Sequence, residues 1–181
     1  MALLVPGPIS DRGWNGLAHD AAQQMERDTG AKVDELQTKS KGEIEAGLRD
    51  FASRGYSIVI GHGNEYGEPA LKVAKDFPNT RFVISSGRVN APNVTSLVFK
   101  LTDATYLLGI LAADISQSGK AACVGGQEFP VVAETFNALQ DGAVSVKKDF
   151  QVTITYINSW DDTVAAKQQT TTLFSQGADV I

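Results

Sequence analysis

Hydrophobic and polar positions along this chain follow two alternating periods. Short apolar runs of strand length are each followed by a stretch whose apolar residues recur every three or four positions, the pattern of parallel strands covered by helices. Residues 2–5 form the first such run. It breaks at Pro6-Gly7-Pro8, and Trp14, Leu17, Ala18, Ala21, Ala22 and Met25 then share one face of a helix over 14–28 that stops at Thr29-Gly30. A strand over 32–37, a helix over 40–54 with Ile44, Leu48 and Phe51 inward and a buried strand over 57–60 come next. A helix with Pro69 in its first turn then runs to Phe77, followed by strands over 81–85 and 94–100. A helix carrying Tyr106, Leu107, Ile110 and Leu111, ending near Ser118, opens a second series: strand 121–124, helix from Pro130 to Lys148, strand 151–156 and helix 163–176. Residues 178–181 read as the first half of a buried strand, which would lack its neighbours, so the expectation is part of a longer protein. The two series predict an α/β fold of two lobes in tandem.

Composition narrows the class. With 43% hydrophobic residues among 181, the chain can bury a substantial core. A formal charge of −5, with the 16 basic residues spread along the whole length, argues against nucleic acid as a partner. No apolar run approaches the ~20 residues of a membrane helix. The single cysteine, Cys123, falls inside an apolar run and reads as a small buried hydrophobe before it reads as a nucleophile. His19 and His62 have no zinc-ligand spacing and no obvious Ser or Cys partner, so neither a metal, a cofactor nor catalysis is expected.

The chemistry gathers where strands hand over to helices. In open α/β sheets ligands bind beyond the carboxyl ends of the strands. At the first such end, Trp14 offers a flat stacking surface and Asp11 and Asn15 offer directional hydrogen bonds; equally, Asp11 can cap the helix with Trp14 packed beneath it. Residues 61–67, Gly-His-Gly-Asn-Glu-Tyr-Gly, exceed the dinucleotide fingerprint by one residue, and the following strand ends in Ser85-Ser86-Gly87-Arg88. Arg88 suits a 2′-phosphate, which makes an NADP-linked oxidoreductase a rival, although no Tyr-x-x-x-Lys pair accompanies it. More simply, the glycines let a strand end turn beside a crevice rimmed by Gly63, Asn64, Glu65, Tyr66, Ser86 and Gly87. Gln127-Glu128-Phe129 and Trp160-Asp161-Asp162 repeat the pairing of an aromatic with polar groups, Asp161 or Asp162 also serving as a cap; Thr102 or Asp103 would cap the helix before them. Several such loops favour one pocket for a flat polar ligand.

Residues 9–15 (Ile-Ser-Asp-Arg-Gly-Trp-Asn), 106–113 (Tyr-Leu-Leu-Gly-Ile-Leu-Ala-Ala), 122–126 (Ala-Cys-Val-Gly-Gly), Trp160-Asp161-Asp162 and 176–181 (Gln-Gly-Ala-Asp-Val-Ile) carry a resemblance in their order and spacing. The chain resembles the basic membrane protein family of substrate-binding proteins, which includes the purine nucleoside receptors of ABC transporters. That likeness implies a type I periplasmic binding protein with two Rossmann-like lobes, 1–101 and an incomplete 102–181, closing over a small molecule in a cleft. It implies a purine base or nucleoside as ligand, an ABC permease as partner, no enzymatic activity, and export to a periplasmic or membrane-anchored position, often as a lipoprotein, with the leader removed ahead of Met1. The stacking aromatic of the nucleoside receptors falls on Trp14 and the neighbouring amide on Asn15. Two acids of those receptors fall near Val5-Pro6 and on Ser86, and both are absent here, which favours a free base such as adenine over a nucleoside. The expected ligand set is Asp11, Trp14, Asn15, Gly63, Asn64, Glu65, Tyr66, Ser86 and Gly87 from the first lobe, with Gln127 and Trp160 from the second. A ligand-sensing regulator of the same fold is the other alternative, without a helix-turn-helix extension in this sequence.

Overall fold

Strand β1 (Ala2–Val5) is apolar and buried at every position, as a strand must be when both faces of its sheet are covered. The computed structural model describes residues 1–181 in two units, Met1–Phe99 and Lys100–Ile181. In the first, β1 lies inside a five-stranded parallel sheet ordered β2-β1-β3-β4-β5, with β2 at Asp34–Gln37, β3 at Ile58–His62, β4 at Arg81–Ser85 and β5 at Val94–Leu97. Helix α1 (Trp14–Thr29) covers one face, where Ala18 and Ala22 meet Leu3, Val5, Val33 and Ile60. Helices α2 (Lys41–Ser53) and α3 (Gly67–Ala74) cover the other, packing Ile44, Leu48, Phe51, Ala70 and Val73 onto Ala2, Leu4, Val59, Phe82 and Ile84. Chain leaves the carboxyl ends of neighbouring β1 and β3 toward opposite faces. This strand order sets the topological switch point, where doubly wound sheets take their ligands, between those two ends.

Local signals account for most of the element ends. Ser40 and Glu43 form a reciprocal capping box at the start of α2, and Gly30 closes α1 with φ 70°. Several boundaries differ from the expectation. β3 runs two residues past Ile60 and takes in Gly61 and His62, while β5 stops at Leu97 and β2 starts only at Asp34. Residues Asn64–Tyr66 form a 3-10 turn ahead of α3. That helix ends at Ala74 rather than Phe77, where the Asn93 side-chain amide reaches the carbonyls of Ala74, Phe77 and Thr80 at 3.1, 3.0 and 3.0 Å and satisfies the chain beyond the last turn. Leu17, grouped with the apolar face of α1, is 68% exposed.

The second unit holds α4 (Thr102–Ile115), β6 (Lys120–Gly125), α5 (Pro130–Val146), β7 (Gln151–Tyr156) and α6 (Thr163–Ser175), with β6 and β7 paired in parallel. Residues 178–181 contribute a single bridge, Val180 to Ala121, on the other edge of β6. Helix α4 buries its small residues and exposes most of the large apolar ones that marked it in the sequence. Gly109, Ala112 and Ala113 are buried and Tyr106, Leu107 and Leu111 are exposed, because α4 and α5 cross so closely that a Cβ on Gly109 would run into the Leu139 carbonyl and one on Gly142 into the Tyr106 carbonyl. Neither Thr102 nor Asp103 caps α4, whose N-cap is Leu101 without a side-chain bond, whereas Asp162 caps α6 by accepting from the Ala165 N–H at 2.8 Å. No helix is long and apolar enough to cross a membrane.

Candidate functional site

The ladder register decides what stands at the switch point. Along β3 the side chains alternate, so His62 shares with Ile60 the face that α1 covers, and the β3–β4 pairing sets His62 opposite Ser85. Trp14, the first residue of α1, arrives over the same spot. Its ring stacks on the imidazole at 4.1 Å between centroids and 23° between planes, and Phe99 meets it edge-on at 5.9 Å. Two reciprocal hydrogen bonds fix the pair: the indole Nε1–H donates to the His62 carbonyl at 3.3 Å, and His62 Nε2 lies 3.0 Å from the Trp14 carbonyl. A carbonyl only accepts, so Nε2 carries the proton and Nδ1 accepts from the Ser85 hydroxyl at 2.9 Å. Burial holds the imidazole pKa below its ordinary value, against the raising effects of the Trp14 bond and the Asp11 charge. Trp14 itself remains 39% exposed.

Asp11 and Asn15 complete the β1 end. The N-cap of α1 is Gly13, which has no side chain to offer, and Asp11 substitutes for it. Its carboxylate accepts from the backbone N–H groups of Gly13, Asn15 and Gly16 at 2.9, 2.9 and 2.8 Å and from the Asn15 amide at 2.8 Å. Desolvation raises its pKa, but these donors outweigh it and hold the group at about 2. Asp11 thus serves the helix start. Asn15 is buried, and because Asp11 can only accept, the amide Nδ2 faces Asp11 and leaves Oδ1 as a buried acceptor with no donor.

The glycine-rich segment is explained by packing. Gly61 lies under the Tyr66 ring, where a Cβ would collide with it, and Gly63 adopts φ 153°, a conformation side-chain-bearing residues rarely reach. Asn64 and Glu65 are half-buried beside it, the Glu65 carboxylate lying against Gly63. Tyr66 corrects the sequence reading: it is 0% exposed in the core, its hydroxyl paired with Thr38 at 2.8 Å and its pKa raised by burial, and it presents no surface to a ligand. Ser86 follows β4 with φ 52° and is half-buried; Gly87 is buried against Ile84 and Ser96. Nothing in this segment needs a dinucleotide to account for its glycines.

In the second unit the two loops after β6 and β7 are fastened to each other. Gln127 Nε2 donates to the Asn158 carbonyl at 3.0 Å, and the Trp160 ring lies against Gly126 with the Phe129 ring 6.1 Å from it. Trp160 is 48% exposed. Cys123 is buried, and desolvation pushes its thiol up to about 11, so it stays protonated at neutral pH. No group of three His, Cys, Asp or Glu residues is placed to hold a metal ion. The sequence pointed to Trp14 but missed His62 and Ser85 as its support; carrying β3 two residues further would have set His62 on the strand, on the face of Ile60.

A parallel sheet of this order defines an α/β fold, and its structural neighbours are type I periplasmic binding proteins. An ABC transporter solute-binding protein from Aeropyrum pernix K1 shares the fold with a TM-score of 0.86 at 24% identity, over 98% of this chain and 52% of that one. The chain belongs to the Bmp family, described as PnrA-like ABC transporter substrate-binding proteins, which it matches over residues 1–181. Among curated relatives it is similar to a purine-binding protein of Brucella abortus, 30% identical over 178 residues, 97% of this chain and 51% of that protein. It is also similar to the transcriptional activator protein Med of Bacillus subtilis, 27% identical over 100% of this chain and 56% of that protein. The chain therefore spans about half the length of the curated relatives it matches.

Proposed function

We propose that this protein is the substrate-binding component of an ABC importer and that its ligand is a purine base or nucleoside. The observation that carries the reading is the indole at the switch point, held rigidly yet exposed. A purine matches it, since its flat π-face stacks on Trp14. Asn64, Glu65 and Ser86 stand at the neighbouring strand ends as further hydrogen-bonding groups, and in the second unit Trp160 repeats the exposed aromatic. With Val5-Pro6 and Ser86 where the nucleoside receptors carry acids, the ribose hydroxyls lose their partners, and we favour a free base such as adenine. The Brucella abortus relative's name supports the purine class. The proposal includes a permease as partner and an extracytoplasmic position, periplasmic or lipid-anchored. A binding role of this kind requires no covalent chemistry.

Calorimetric titration with adenine, hypoxanthine, adenosine and guanosine tests the reading. Adenine is expected to bind, and Trp14→Ala to weaken it about 10- to 100-fold, the usual loss when a base forfeits its aromatic stacking partner. Equal affinity in wild type and Trp14→Ala would sink it. The activator relative favours a second reading, a ligand sensor of the same fold. Deleting the gene separates the two: loss of purine uptake identifies the importer, whereas unchanged uptake with altered transcription identifies the sensor.

A further inference from the structure

We infer that His62 is the positioning residue that makes Trp14 a one-faced platform for the ligand; this rests on the purine reading above. The geometry leaves the indole little freedom. Its inner face is covered by the imidazole at 4.1 Å, its Nε1–H is committed to the His62 carbonyl, and Phe99 abuts it at 5.9 Å and 85°. The imidazole is held in turn, donating from Nε2 to the Trp14 carbonyl and accepting at Nδ1 from Ser85, its partner in the β3–β4 register. The platform is thus anchored in the ladder itself, through Ser85, His62 and Trp14. Two consequences follow for recognition. The indole offers a ligand its outer face and no hydrogen bond, so Trp14 selects for flat area and not for polar pattern. A ring at position 62 matters more than its nitrogens for affinity, because the stack sets the plane on which the ligand lies.

Binding of adenine is measured by calorimetry in the full chain. His62→Ala is expected to weaken it about five- to tenfold, the scale of one lost aromatic pair. His62→Phe, which restores a ring beneath the indole, is expected to recover most of that loss, and His62→Gln, which keeps a donor without a ring, is not. Trp14→Phe should retain most of the wild-type affinity because the indole N–H is unavailable to the ligand. An independent readout needs no ligand. Labelled with 5-fluorotryptophan, the protein gives fluorine resonances from Trp14 and Trp160, the former identified by its loss in Trp14→Phe; His62→Ala should move the Trp14 resonance and leave that of Trp160 in place. Adenine binding that survives His62→Ala at wild-type strength while Trp14→Ala abolishes it overturns the positioning role and leaves the purine reading standing. A wild type that binds no purine, with the Trp14 resonance still moved by His62→Ala, overturns the purine reading and upholds the His62–Trp14 couple. A resonance that does not move overturns the couple.

Discussion

Four donors converge on the single carboxylate of Asp11, and that convergence explains why α1 begins where it does. Replacing it by alanine leaves the first-turn N–H groups of a helix whose N-cap is glycine without an acceptor, and is expected to lower stability by about 1–2 kcal/mol at neutral pH in denaturant titration. The pH dependence has a definite sign. The folded-state pKa of about 2 lies below the ordinary 3.8, so the contribution is fully present above the unfolded value and is lost as pH falls from about 4 through about 2. Thermal midpoints of wild type and Asp11→Ala should therefore converge across that window; a constant gap down to pH 2 would refute the assignment. From sequence, Asp11 could cap or contact ligand, and Trp14 could pack or present itself. Only the placement of the neighbouring residues separates these readings, since a carboxylate's partners depend on which N–H groups the loop turns toward it. Tyr66 shows the same limit: adjacent to polar Asn64 and Glu65 in sequence, it is carried into the core by the 3-10 turn and the absence of a side chain at Gly61.

Periodicity located the α-helices and β-strands of the chain, but neither its 3-10 turns nor which side of α4 is buried. Hydrophobicity alone favours Leu107 and Leu111 for the interior, whereas backbone approach favours glycine and alanine, and in the α4–α5 pair the close approach prevails. This yields a prediction opposite to helix propensity. In an unpacked helix Gly142→Ala would stabilise by about 1 kcal/mol; here the added methyl meets the Tyr106 carbonyl, and a net loss of about 1–3 kcal/mol is expected in urea unfolding of the protein. A gain in stability would show that the crossing yields without strain. The end of β3 is the other element-level lesson. Gly61 and His62 lack the β-branched character that marks Ile58, Val59 and Ile60, and they join the strand because β4 continues beside them as far as Ser85.

At the scale of the molecule, the two units differ in what they bury. The largest fully buried side chains, Tyr66, Phe82, Leu4, Leu48, Ile84, Val5, Val59, Val73 and Val94, all lie in Met1–Phe99, while the clusters of the second unit consist mainly of alanines with Phe150 and Leu173. Leu107, Leu108, Leu111 and Ile115 are each at least half exposed on α4. Residues 1–99 expressed alone are thus expected to melt cooperatively, and residues 100–181 alone to bind a hydrophobic dye and melt without a sharp transition; the reverse pattern in calorimetry would contradict this energetic asymmetry. The sequence by itself determined the α/β alternation, the family likeness, and the presence of an aromatic and an amide after the first strand, because these depend on local periodicity and on residue types at fixed spacing. Only the tertiary structure decided that Asp11 is a cap, that Tyr66 is core, and that His62 lies beneath Trp14. Each of those outcomes depends on which residues from distant strands are set side by side, and strand order and register are properties of the whole sheet.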